Sequence, residues 1–231
     1  MNFTSRLTKG ETIAALAWIP VHIVALPELL GLLCRFGRMD VTAANLILYA
    51  AGAVYMLAFL GRFLRREFDP LCDRPFYCIL QVAGSYLAMV AFNALFAALL
   101  LLLSGEEIVM NPNNETVSGL AAESPGIIKA VGIFLAPIVE ELMFRAGIFG
   151  AIRKKNRILA YIVSMLAFGI YHIWAYLLQN PLYVLFIIQY LPVSWLLCRS
   201  YERTNTIWTP IFLHMLVNAV SMAAIERLAA L

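Results

Sequence analysis

The sequence predicts an all-α polytopic membrane bundle of about seven transmembrane helices. Three observations carry this. Of the 231 residues, 62% are hydrophobic and only 13% are charged, about half of the roughly 25% usual in soluble domains. The mean hydropathy is +0.82. Apolar runs of about 18 residues or more recur along the whole length. A membrane β-barrel would show alternating segments of about ten residues, and the chain has none. The net charge is +3 and no basic cluster exceeds four residues, so a nucleic-acid partner is not expected. The expected partner at this level is the lipid bilayer.

Seven spans follow from the hydrophobic runs: about 12–34, 42–64, 78–103, 126–152, 157–179, 181–199 and 206–228. Turn and charge clusters separate them, such as Arg65-Arg66-Glu67-Phe68-Asp69-Pro70 and Asn111-Pro112-Asn113-Asn114. The longest connection is a loop over about 104–125. Arg6 and Lys9 precede the first span, as in a signal peptide. That span is too long, and it carries Pro20, His22, Pro27 and Glu28, so it reads as a retained helix. The absence of any long extramembrane domain favours a prokaryotic inner or plasma membrane.

Lys and Arg orient the bundle. With a cytoplasmic N-terminus, the inside segments hold Arg6, Lys9, Arg62, Arg65, Arg66, Arg74, Arg153, Lys154, Lys155, Arg157, Arg199 and Arg203. The outside segments hold Arg35, Arg38 and Arg227, and the 104–125 loop has Glu106, Glu107, Glu115 and Glu123 but no Lys or Arg. Arg35 and Arg38 fit least well, and a partly re-entrant first helix would change the count by one. Of the four cysteines, three fall near the cytoplasmic side, where disulfides are rare, so free thiols are expected. Asn114-Glu115-Thr116 forms a glycosylation sequon that matters only in a eukaryote.

Ionisable side chains inside a membrane cost on the order of 2.5–3.5 kcal/mol each on insertion, which makes them functional candidates. The fourth span carries Glu140, Glu141 and Arg145; the fifth carries His172; the seventh carries His214 and Asn218. Glu141 and Arg145 lie four residues apart and share a helix face, where they can pair. Pairing makes a buried Arg tolerable. Glu140 sits roughly 100° round the helix and is left free to face a cavity, where a carboxylate can serve as general base or acid. Pro137 cannot donate to the carbonyl of Ile133, so a bend is expected just before Glu140. His214 and Asn218 also share a face, and two donors there could hold a developing oxyanion. Thr209-Pro210 reads as an N-cap followed by a first-turn proline, which leaves His214 one to two turns from the cytoplasmic end. Glu140 and His172 lie roughly 18–22 Å from theirs. For the four groups to meet, a tilt or an earlier helix start is needed. Taken singly, each residue has a plainer role in packing or interhelical hydrogen bonding, and His22, Glu28, Asn93 and Gln189 are left there. Together, one unpaired carboxylate, two histidines and an amide on three spans make a reaction centre.

These motifs resemble the CAAX protease and bacteriocin-processing family, also called the Abi family, which includes the type II CAAX prenyl endopeptidases. Its Glu-Glu-x3-Arg motif is similar to Glu140, Glu141 and Arg145. Its Phe-x3-His motif is similar to Phe168 and His172, and its His-x3-Asn motif to His214 and Asn218. The likeness covers roughly 126–222. It divides the chain into N-terminal helices of unassigned role over 1–125 and a catalytic helical core over 126–231, with substrate choice expected in the former. The resemblance implies an intramembrane glutamic endopeptidase with a peptide or protein substrate at the membrane. Glu140 activates water, with His172 orienting or deprotonating it. His214 and Asn218 stabilise the oxyanion, and Glu141, Arg145 and Phe168 position the others. The alternative is a catalytic zinc at Glu140, His172 and His214, since two histidines and a glutamate form a known set. No His-Glu-x-x-His helix is present, and with Glu140 as ligand no nearby unpaired carboxylate would remain as base, so no cofactor is expected. Two other functions are compatible with the residues. A proton-coupled transporter would use the same side chains, but no inverted repeat is visible. A non-catalytic immunity or regulatory partner would bind a peptide or a sensor kinase.

Overall fold

A computed structural model describes residues 3–104 and 111–229. These residues form helices and no strand. Helix α1 (Lys9–Arg35) opens on a capping box between Thr8 and Glu11. A wider π turn, Val21–Ala25, lies between Pro20 and Pro27, where two missing N–H groups interrupt the ladder. Helix α2 (Val41–Arg66) starts on Asp40, whose carboxylate accepts from the Ala43 N–H at 2.7 Å. The short α3 (Phe68–Asp73) and the long α4 (Pro75–Ser104) follow.

Helix α6 runs over 125–153 and is the centre of the molecule. It packs against α1, α2, α7 (Arg157–Leu177), α8 (Ile187–Thr204) and α9 (Trp208–Ala229). Every residue from 139 to 147 is buried. A helix enclosed on all sides inside a bundle can carry charges that a lipid-facing helix cannot. Five helical segments are long and apolar enough to cross a membrane: Lys9–Arg35, Val41–Asp73, Pro75–Phe96, Arg157–Leu177 and Pro181–Thr204. Trp208–Ala224 is a shorter apolar helix. The remaining hydrophobic stretch is α6, whose apolar run is broken by Lys129, Glu140, Glu141 and Arg145. The chain is a multi-pass helical membrane protein.

Three local expectations need correction. The 104–125 stretch is not simply a loop. Residues Pro112–Glu123 form helix α5, capped by the buried Asn111, whose side chain accepts from the Asn113 N–H at 3.0 Å. Glu106 and Glu107 of that stretch lie outside the described residues. The helix around Pro137 is not a regular α-helix with one interruption. Two π stretches, Ala130–Leu135 and Leu142–Phe149, flank the regular turn that carries the glutamates, and they absorb the interrupted hydrogen bonding.

The third correction concerns α9, which starts at Trp208 and not behind a Thr209 cap. The oxygen acceptors at its start come from Thr206, which takes the Trp208 N–H at 3.3 Å, and from Glu67, which takes the Ile207 N–H at 2.9 Å. Pro210 still falls in the first turn, where an N–H has no partner within the helix. The α8–α9 turn is enclosed: Thr204, Thr206, Ile207 and Thr209 are fully buried. Asn205 makes the turn in the left-handed conformation at φ 57°. The segment before α1 closes over it. The Thr4 N–H donates to Asn205 Oδ1 at 2.9 Å, and Arg6 donates to the Asn205 carbonyl at 2.7 Å and to Glu67 at 3.2 Å.

All four cysteines are free thiols. Removing them therefore gives a background for labelling. Exposed Glu115 on α5 and exposed Lys155 after α6 lie beyond opposite ends of α6. With a cytoplasmic N-terminus, an impermeant thiol reagent on intact cells should label Glu115→Cys and spare Lys155→Cys. The reverse pattern would invert the bundle.

Candidate active site

The site is built outward from the buried turn of α6. Glu141 and Arg145 pair across one helical turn at 2.9 Å, and neither side chain has any exposure. The guanidinium also donates to Ser194 Oγ on α8 at 2.9 Å and stands 4.2 Å from the centre of the Phe168 ring on α7. Oε1 of Glu141 receives a second hydrogen bond, from Nδ1 of His214 on α9, at 2.8 Å. The pair thus ties α6 to α7, α8 and α9, and its carboxylate sets the plane of an imidazole.

Glu140 turns the other way, into a cavity of about 680 Å³ that Tyr49, His172, Tyr190, His214 and Asn218 help to line. Its Oε1 accepts from the Tyr49 hydroxyl at 3.3 Å. Its Oε2 has no hydrogen-bond partner among the described residues. That oxygen lies 3.9 Å from Nε2 of His172 and 3.9 Å from Nε2 of His214. The tautomers follow from the other ring nitrogens. Nδ1 of His172 faces the Phe168 carbonyl at 2.8 Å, and a carbonyl only accepts. Nδ1 of His214 faces the paired carboxylate of Glu141. Both Nδ1 atoms therefore carry the proton, and in each ring Nε2 is the nitrogen turned toward Glu140. Tyr190 stacks on His172 with ring centres 4.5 Å apart, and Phe168 touches both imidazoles, at 4.4 and 5.8 Å.

Asn218 is half-buried at the cavity wall. Its amide donates to the Gly132 carbonyl at 2.8 Å, which leaves its second N–H for the cavity. Any side chain at position 132 would collide with Met222. The structure thus brings Glu140, Phe168, His172, His214 and Asn218 around one cavity and places Glu141 and Arg145 behind them. His214 meets the other groups because the α8–α9 turn before it is itself enclosed in the bundle.

Several contacts carry no signal in the sequence. Tyr49 reaches Glu140 from α2, and its hydroxyl lies 2.8 Å from that of Tyr171, which in turn lies 3.1 Å from Nε2 of His22 on α1. His22 does join helices, as an unremarkable buried histidine would, but the chain of hydroxyls links it to the central carboxylate. Ser194 is a small polar residue whose only distinction is its place opposite Arg145. Among the described residues, no group of three or more His, Cys, Asp or Glu side chains is arranged to hold a metal ion. The donors of the zinc alternative are Glu140, His172 and His214, with the carboxylate oxygen at the two 3.9 Å separations given above.

The three motifs that carry the resemblance thus meet at one cavity of a helical membrane bundle. Residues 123–220 match the family model described as "Type II CAAX prenyl endopeptidase Rce1-like". That stretch takes in α6, α7, α8 and most of α9, and the resemblance is therefore shown for this part of the chain. A curated relative, "Putative membrane peptidase YdiL" of Bacillus subtilis (strain 168), is 37% identical over 89 residues, which are 38% of this chain and 33% of that protein. The match thus spans a third of the relative's length. No solved structure matches the chain.

Removing one partner of a buried pair strands the other charge, at a cost of about 3–5 kcal/mol. Glu141→Gln should therefore lower the melting temperature clearly, whereas Ser194→Ala should lower it only slightly. Thermal unfolding of the purified variants in detergent checks this. Equal melting temperatures for Glu141→Gln and the parent would remove the structural role of the pair.

Proposed function

We propose that the chain is an intramembrane endopeptidase that hydrolyses a peptide bond of a membrane-associated or lipidated peptide with water activated by Glu140. The observation that carries this reading is the unpartnered Oε2 of Glu140 facing the Nε2 atoms of His172 and His214 at 3.9 Å each. A water among these atoms can give one hydrogen to the carboxylate and the other to His172. Its oxygen lone pairs are then directed at a substrate carbonyl. As the oxygen–carbon bond forms, Glu140 takes the proton, and the carbonyl electrons move onto the oxygen. The free N–H of Asn218 faces the cavity and supplies one donor to that oxyanion. His214 supplies another when Nε2 also carries a proton, and Glu141 then holds the charged ring. On collapse, the carbon–nitrogen bond breaks and Glu140 returns its proton to the leaving amine. Arg145 and Phe168 keep Glu141, His172 and His214 in register.

The cavity walls beyond the motifs come from the N-terminal helices and α5, including Asn45, Asn93 and Asn113. These residues are the ones placed to select the substrate. In this reading the chemistry needs no metal; the zinc alternative would draw on Glu140, His172 and His214.

Three outcomes are expected. Glu140→Gln should lower turnover of a cleavable peptide by at least about 10²-fold, the lower range for loss of a general base, while the protein stays folded in the membrane. Full activity in that variant would remove the base from the mechanism. His214→Ala and Asn218→Ala should each lower kcat and kcat/KM together, by on the order of 10²-fold for a lost oxyanion donor, and the double variant should fall short of the product of the two. Near-normal kcat with a lowered melting temperature would reduce both residues to packing. Activity should survive a strong zinc chelator. Stoichiometric metal in the protein, with activity lost on its removal and restored on its return, would favour the zinc set.

A further inference from the structure

A second cavity, of about 650 Å³, opens at the other end of α6 from α5, between the first turns of α4 and α7 and the last turns of α6 and α8. Four guanidiniums line it, those of Arg153, Arg157, Arg199 and Arg203, against the single carboxylate of Glu202. Glu202 is fully engaged. It accepts from Arg153 Nε at 2.5 Å, from Arg157 through two nitrogens at 2.8 to 3.1 Å, and from the Tyr161 hydroxyl at 2.9 Å. Arg199 and Arg203 form no ion pair among the described residues. The half-buried Arg199 stands 5.3 Å from the centre of the Trp195 ring, and Arg203 is exposed. The wall is apolar and also open to the outside: Ile158, Ile162 and Trp195 are 73%, 50% and 37% exposed.

These features ask for a ligand with two parts. Two cations without a carboxylate require an anion, and forked guanidiniums match the oxygens of a phosphate. The exposed isoleucines, one helical turn apart on α7, continue from the cation pair along the side of the bundle that meets acyl chains. A tryptophan and two tyrosines at this level are the side chains that settle at a membrane interface. A free phosphate would leave the apolar wall unused. A zwitterionic headgroup would bring a cation against four guanidiniums. We infer that this cavity binds the headgroup of an anionic phospholipid, with Arg199 and Arg203 on the phosphate and an acyl chain along Ile158 and Ile162. The site is separate from the Glu140 cavity and stands whether or not the chain is a peptidase.

Lipid retention by the purified full chain in detergent, read by native mass spectrometry, tests this with dioleoyl-phosphatidylglycerol and dioleoyl-phosphatidylcholine. The wild type should hold phosphatidylglycerol several-fold more tightly than phosphatidylcholine. Arg199→Gln with Arg203→Gln should weaken phosphatidylglycerol about ten-fold or more, in line with the attraction of two interfacial arginines for an anionic lipid, and leave phosphatidylcholine unchanged. Arg62→Gln with Arg65→Gln removes the same charge at exposed positions outside the cavity and should change retention less than two-fold. Melting curves of both double variants should match the parent, since none of these four side chains forms an ion pair among the described residues. Equal retention of the two lipids by the wild type overturns the inference, whatever the variants do. So does an equal loss in the two double variants, which would mean a diffuse surface potential. Displacement of phosphatidylglycerol by millimolar inorganic phosphate would assign the site to a free anion and overturn it as well.

Discussion

The buried pair of Glu141 and Arg145 is the constraint from which the rest of the interior follows. An arginine enclosed by helices is tolerated only with its charge compensated. Glu141, Ser194 and the face of Phe168 meet that need from α6, α8 and α7. Because Glu141 also takes the Nδ1–H of His214, the same pair fixes how α9 docks. With Glu141 committed to the structural side of the helix, its neighbour Glu140 is the carboxylate that reaches the cavity.

Much of this site was legible in the sequence. Charged residues in apolar runs stand out, and the 3.6-residue repeat separates the faces of two adjacent glutamates without any structure. The four-residue spacings of Glu141 with Arg145 and of His214 with Asn218 have direct geometric readings. Depth was harder. Counting residues from the ends of α6, α7 and α9 assumes that all three ends lie at one level. The α8–α9 turn is instead enclosed by Glu67 and the residues before α1, contacts more than 130 residues apart in sequence. Helix α5 was also illegible, since its composition is polar and its anchor, Asn111, finds Gln189 and Tyr190 only in the folded chain. Tyr49 and Tyr171 are single tyrosines in apolar helices, where nothing distinguishes a hydroxyl with a partner in the site from one that merely packs.

The two halves of the chain divide the environment of Glu140 between them. The part that matches the family model supplies the carboxylate, both imidazoles and the amide. The N-terminal helices supply the donor on the other carboxylate oxygen, Tyr49, and also His22, which reaches Tyr49 through Tyr171 of the matched part. With Oε1 held from α2, only Oε2 remains directed at the histidines. The helices outside the family match therefore shape the central carboxylate as well as the walls around it.

The enclosed turn before α9 has a consequence for how the protein is made. His214 and Asn218 lie on a helix that is synthesised after every other helix described. That helix docks by inserting Thr206 and Ile207 against Glu67 and beneath the residues that precede α1. Before docking, Glu140 and His172 are already in the membrane, but the cavity lacks one imidazole and the amide. Assembly is thus ordered by translation. The Glu140 cavity is therefore complete only once the α8–α9 turn has met Glu67 and the residues before α1.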